Sequence, residues 1–210
     1  MPRATFRETG SAEAHASAAD FERIFTEDMG SLYLLSLLLA GDRQRAEECF
    51  LAGVDESTKE KRVFKEWARS WARRAIIRSA IRLISPGKDS PRVTPILVSA
   101  ESVDYVPSAL KAEVCAILEL APLERFVFVM SVLERYSEHD CSILIGCPRK
   151  DIAAALARAM QHLGALLSLH RNETEASSEG LSGSKISRLV VDMTIVQYFA
   201  TPSWKTNISL

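Results

Sequence analysis

The sequence has no CxxC pair, no apolar run long enough to cross a membrane, and almost no net charge. Each absence excludes something. The four cysteines, Cys49, Cys115, Cys141 and Cys147, are too scattered for a disulfide framework and are expected to be free thiols in a reducing compartment. A zinc site built from His139, Cys141, Cys147 and His162 fits no common finger spacing. The most apolar run, Leu32 to Ala40, is about nine residues, whereas a membrane helix needs roughly twenty. The N-terminus lacks the apolar segment of a secretory signal, so the protein is expected in the cytoplasm. Catalytic groupings are missing as well. The histidines, His15, His139, His162 and His170, are dispersed, and no Ser/His/Asp set, metal motif or phosphate-cradling glycine loop is present. The expectation is a protein that is not an enzyme, with no cofactor and no small-molecule substrate.

The near-neutral total of −1 conceals an uneven distribution. Between Lys59 and Arg92 eleven bases stand against three acids, a local net charge of +8. Residues 1–58 carry five bases and eleven acids, or −6. A concentrated basic segment is an electrostatic footprint for polyanions. With only Glu60 and Glu66 nearby, Arg69, Arg73, Arg74, Arg78 and Arg82 are too many for internal ion pairs and are candidate DNA contacts.

Hydrophobic periodicity divides the chain. Residues 1–19 read as a flexible tail, 20–86 as a helical domain, 87–108 as a linker, 109–170 as a second helical domain, and 171–210 as a further linker and tail. In the first domain Phe21, Ile24, Phe25, Leu32, Leu35, Leu38 and Leu39 recur at helical spacing. Gly41-Asp42 breaks the pattern, and the next helix should end near Gly53. A long helix is expected over 58–84, with Phe64, Trp67, Ala68, Trp71 and Ala75 on one core-facing side. Past Arg74 the apolar and basic sides exchange, which predicts a bend or a second packing partner. Four of the eight prolines fall in the stretch from Pro86 to Pro107, giving the linker its character.

In the second domain Ser108 and Pro122 open helices, and Ser137 caps a short helix over 138–145. Gly146 turns the chain and Pro148 begins a last helix, with Ile152, Leu156, Ala159 and Leu163 on its inner face. A short helix, a glycine turn and a second helix make a helix-turn-helix. The fold class is therefore all-α, two small helical domains joined by a Pro/Ser-rich linker. Arg149 and Lys150 sit where a recognition helix meets base edges, and Arg158 adds a base further along.

The run from Leu118-Glu119-Leu120-Ala121-Pro122 through Arg125-Phe126-Val127-Phe128-Val129-Met130, then Leu133-Glu134-Arg135-Tyr136-Ser137 and Ile143-Leu144-Ile145-Gly146-Cys147, resembles the fourth conserved region of sigma-70-type factors. Upstream, Leu32-Tyr33, Gly41-Asp42, Arg45-Ala46-Glu47-Glu48, Phe64, Trp67 and Ala72-Arg73 are similar to the family's second region. Within that family the resemblance is to the small extracytoplasmic-function kind. The resemblance implies a cytoplasmic protein that binds core RNA polymerase and promoter DNA, with an anti-sigma protein as a further partner. Glu47, Glu48 and Phe50 are then the polymerase-binding residues.

Two departures from the family pattern matter. Ala153, Ala154, Ala155 and Ala157 stand where polar reading residues are usual, and alanine cannot hydrogen-bond a base. The acidic patch for polymerase is reduced to Glu47-Glu48 and followed by Cys49-Phe50-Leu51-Ala52. These features keep open an alternative, a sigma-derived interaction protein that no longer reads DNA. A dimeric helix-turn-helix regulator is the remaining one.

Overall fold

The computed structural model describes residues 14–60, 62–87 and 110–176. Eight α-helices carry the described chain: α1 (Ala18–Glu27), α2 (Met29–Ala40), α3 (Arg43–Lys59), α4 (Ala68–Ile84), α5 (Lys111–Leu118), α6 (Pro122–Phe128), α7 (Glu138–Ile145) and α8 (Arg149–Ala176). The fold is all-α among the described residues, as the sequence implies. The linker and the tail beyond 176 lie outside the described residues, as do Ser108 and most of the expected N-terminal tail.

Local chemistry sets the helix ends. Ser17 and Asp20 form a reciprocal cap on α1, and Ser137 and Asp140 form the same cap on α7. Asp42 caps α3 by accepting from the Arg45 N–H at 2.9 Å. Gly41, at φ 89°, closes α2 in the left-handed region, where a Cβ is disfavoured. The tail expected over 1–19 is shortened at its described end. The Ala16 N–H donates to the Val63 carbonyl at 2.7 Å and the Lys65 N–H to the Ala14 carbonyl at 3.0 Å.

That backbone pairing accounts for the largest correction. Residues 58–84 are not one helix. The chain leaves α3 after Lys59, is extended at Phe64, makes a 3-10 turn over Lys65–Trp67, and only then starts α4. Backbone groups around residue 63 bond to 14–16 instead of to a helical turn. α3 in turn runs past Gly53 to Lys59. A Cβ on Gly53 would lie 2.7 Å from Ile76 Cγ1, so the glycine serves the close approach of α3 to α4.

α2 organises the whole. Leu32, Leu34, Leu35, Leu37, Leu38 and Leu39 are all buried, so the helix is apolar around its circumference. Such a helix has to be covered on every side. α1, α3 and α4 cover part of it, and α5 and α6 of the second unit cover more. The buried apolar side chains of both units consequently form one continuous core. The exchange of faces along α4 has a matching cause, since α4 packs on α1, α2 and α3 and also touches α7.

Arg125 of α6 fastens the junction. It is 7 % exposed. Its guanidinium donates to the Leu118 and Leu120 carbonyls at 3.2 and 3.3 Å, and across the junction to the Leu39 and Ala40 carbonyls at 3.4 and 3.3 Å. These acceptors are at the ends of α5 and α2, which leave carbonyls unpaired and carry partial negative charge. Burial pushes the Arg125 pKa down to about 10, with Asp42 opposing the shift, so the group stays charged at neutral pH.

Replacing Arg125 by Ala strands these carbonyls, and the expected loss is about 2–4 kcal/mol in urea unfolding. Gly41→Ala is expected to cost about 1–2 kcal/mol from the left-handed backbone alone, and more because its Cβ would collide with the Arg125 guanidinium. Acid should loosen α1 and α7. The Ser17 backbone N–H holds Asp20, and the Ser137 hydroxyl holds Asp140, below the ordinary aspartate value of 3.8. Their capping contribution is complete above that pH and is lost as pH falls through the lower folded-state values. Helical circular dichroism of a D20N/D140N variant should lack that part of the acid response.

Candidate nucleic-acid interface

The arginines of α4 are more engaged than the local sequence suggests. Arg69 pairs with Glu27 at 2.7 Å and with Asp28, at the α1–α2 junction. Arg78 and Arg82 share Glu56 of α3, the latter at 2.6 Å. The Arg78 guanidinium also lies 4.7 Å from the centroid of the Trp71 ring. Arg73 reaches into the second unit, where Nε donates to Glu134 Oε2 at 2.8 Å and Nη2 to Oε1. Burial pulls the Arg73 pKa down, but the Glu134 hydrogen bonds and charge outweigh it and the net shift is upward. Arg74 is exposed and close enough to Tyr136 and Asp140 to favour their charged forms.

The expectation that these arginines lack internal acidic partners is therefore corrected. The acids come from residues 27, 28, 56 and 134. Counting charges near residues 59–92 cannot find them.

A second correction concerns the aromatics. Phe64 is 40 % and Trp67 60 % exposed, so neither is core. Placing them with Ala68 and Ala75 assumed an unbroken helix, and the 3-10 turn shifts their phase. His15 stacks on Phe64 with ring centroids 4.7 Å apart, and Phe64 meets Trp67 edge-to-face at 5.5 Å. The three rings form an exposed ledge beside the start of α4. Trp71 does pack against the core.

The second unit contains the expected helix-turn-helix. α7 ends at Gly146, φ 77°, and α8 begins at Arg149. The Ser142 hydroxyl donates to the Cys147 carbonyl at 2.6 Å and holds the turn. α8 buries Ile152, Ala155, Ala159 and Leu163. Leu156 is only half-buried, and Ala155 belongs to the core rather than to the outer face. The helix continues to Ala176, beyond the end expected at 170. Outward stand Arg149, Lys150, Ala153, Ala154, Ala157 and Arg158.

Arg158 is not independent. Its Nε donates at 2.8 Å to Oε1 of Glu124, a buried acid on α6, while Glu124 Oε2 lies 3.2 Å from His162 Nδ1. Glu124 was invisible from the sequence. Its only signal was a charged residue on the apolar helix that also carries Phe126 and Val127.

On the far side of the first unit, α2 and α3 enclose an open cleft of about 510 Å³. Met29, Gly30, Tyr33, Glu47, Phe50 and Leu51 line it. Of the expected polymerase-binding residues, Glu47 and Phe50 meet there. Glu48 does not line it and instead accepts from Gln44 Nε2 at 3.4 Å. Glu47 accepts from Arg43 at 3.0 Å. Met29 and Leu51 are largely exposed and add apolar surface that the motif reading missed. Leu51 was the available signal, because it lies about 200° from both Cys49 and Gly53 and so opposite the buried face of α3.

Among the described residues no group of His, Cys, Asp and Glu is placed to hold a metal, and no helix is long and apolar enough to cross a membrane. Residues 111–163 match the family model described as sigma-70, region 4. That span runs from the first residue of α5 through the helix-turn-helix to Leu163, a buried residue of α8. No curated protein and no solved structure matches the chain. Residues 111–163 thus have both the sequence pattern and the helix-turn-helix of a sigma-70 region 4 unit.

Proposed function

We propose that the chain is a sigma factor that binds core RNA polymerase and recognises promoter DNA to start transcription. One observation carries this reading: a region 4 helix-turn-helix whose α8 begins with two exposed bases, Arg149 and Lys150. The N-terminal end of such a helix faces base edges, and its unpaired N–H groups favour phosphate. The region 4 family acts by DNA recognition in transcription initiation, not by catalysis. In this reading α4 faces the DNA backbone through Arg69, Arg73, Arg74, Arg78 and Arg82. The ledge of Phe64 and Trp67 supplies a stacking platform for unpaired bases. The α2–α3 cleft, apolar with Glu47 at its edge, serves as the polymerase contact.

The outer face of α8 favours a second reading, a sigma-derived regulator that binds protein but no longer reads DNA. Ala153, Ala154 and Ala157 offer no hydrogen bonds to bases, and Arg158 is held by Glu124. Run-off transcription with purified core enzyme on the gene's own upstream DNA separates the two. Specific transcripts support the first reading, and polymerase binding without transcripts supports the second.

Two substitutions are diagnostic. Arg149→Ala is expected to weaken upstream-element binding by about 1–3 kcal/mol if it reads a base. Lys150→Ala, as a phosphate contact, should reduce the salt slope by about one unit. Unchanged promoter occupancy for both singles and the double would remove the assignment. Trp67→Ala is expected to leave unfolding stability within about 0.5 kcal/mol of wild type, given its exposure. The same change should weaken binding to a melted strand by about 1–3 kcal/mol, measured by fluorescence anisotropy.

A further inference from the structure

Glu124 is an unusual residue to find in a core. It lies on α6 and is 6 % exposed. Taking a carboxylate out of water is costly, and an apolar side chain of similar volume in its place is commonly neutral or better for stability. Stability alone therefore gives no reason for an acid here. Its Oε1 accepts one hydrogen bond, from Arg158 Nε at 2.8 Å. Its Oε2 accepts none, although His162 Nδ1 lies 3.2 Å away. The pair is lopsided, because the Glu124 side chain is 8 % exposed and that of Arg158 51 %. One partner is fixed in the core and the other reaches the surface of α8.

The effect on the guanidinium follows from its shape. The group is planar, and its five N–H bonds form a rigid fork. A carboxylate on Nε fixes that plane and leaves the two terminal nitrogens side by side. Among the described residues neither of them meets a protein acceptor. Two parallel N–H donors match O6 and N7 of guanine in the major groove. A loose arginine gives up rotamer freedom to make that contact, whereas Arg158 has already given it up to Glu124. Helical side chains lean toward the N-terminus, and the residue one turn earlier is Ala154, exposed and too short to cover the fork. We propose that Glu124 is a positioning residue: it locks Arg158 through Nε and presents the terminal fork to one guanine edge, which makes Arg158 a specificity-determining residue of α8. The inference rests on the reading that α8 recognises promoter DNA. The same carboxylate offsets the charge of Arg158 and so weakens its pull on phosphates of any sequence. Being held thus makes this arginine selective instead of withdrawing it from DNA.

Selection from a pool of duplexes with a randomised core, by the full chain bound to core polymerase, tests this. Wild type is expected to select guanine at one position through Arg158. Arg158→Ala should lower that preference about tenfold and leave the other positions as they were. Glu124→Leu removes the acceptor without opening a cavity. It should lose most of the same preference while circular dichroism and unfolding stay as in wild type, and its binding to unselected duplex should strengthen as the full arginine charge returns. Glu124→Gln keeps an oxygen that can accept from Nε and should retain part of the preference; it carries the test should Glu124→Leu not fold. In an Arg158→Ala background Glu124→Leu should change nothing further, because the two side chains act as one unit. A guanine preference untouched in both Glu124 variants, or an equal loss at every position, would overturn the positioning role. Arg158→Ala that lowers the salt slope without altering any base preference would make Arg158 a phosphate contact and overturn it too. If wild type selects no sequence at all, the DNA reading of α8 is wrong and the inference falls with it.

Discussion

α2 cannot be left half covered. A helix with leucines at 32, 34, 35, 37, 38 and 39 has no polar face to show water, so every neighbouring element must help to cover it. α1, α3 and α4 cannot close around it alone, and α5 and α6 are drawn in from the other side of the linker. The order of the molecule follows from that requirement. The C-terminal carbonyls of α2 end up beneath the second unit, out of reach of water. A buried guanidinium, Arg125, meets them there.

Once the units share a core, the charged groups at their margin are brought into contact. The basic helix α4 lies against α7, so Arg73 meets Glu134 and Arg74 comes near Asp140. The surface with the highest density of arginine is thereby partly neutralised by the unit that carries the helix-turn-helix. Arg149 and Lys150 remain outside this arrangement and exposed. The closed chain thus leaves one basic surface open and occupies part of the other.

Much of this was legible in the sequence, and the losses share one cause. The cap at Ser137, the turn at Gly146 and the start of the last helix near Pro148 are local chemistry, and the structure repeats them within a residue. The all-α class and the sigma-70 resemblance rest on equally local patterns. What was missed depends on residues far apart in the chain. Pairing of residues 14–16 with 63–65 broke the helix expected over 58–84 and moved Phe64 and Trp67 out of the core. Carboxylates at 27, 28, 56 and 134 satisfy arginines that have too few acids near them in sequence. The buried clamp of Glu124 on Arg158 could not be inferred from periodicity, which marks position 124 only as an exception.

Closure of the free chain around α2 fixes the distance between the two units. Pulsed electron paramagnetic resonance with spin labels at the exposed positions Glu48 and Gln161 would measure it in the full-length protein. A closed chain gives one narrow distance distribution in the absence of DNA and polymerase. A broad distribution, as two units on a slack tether would give, contradicts it.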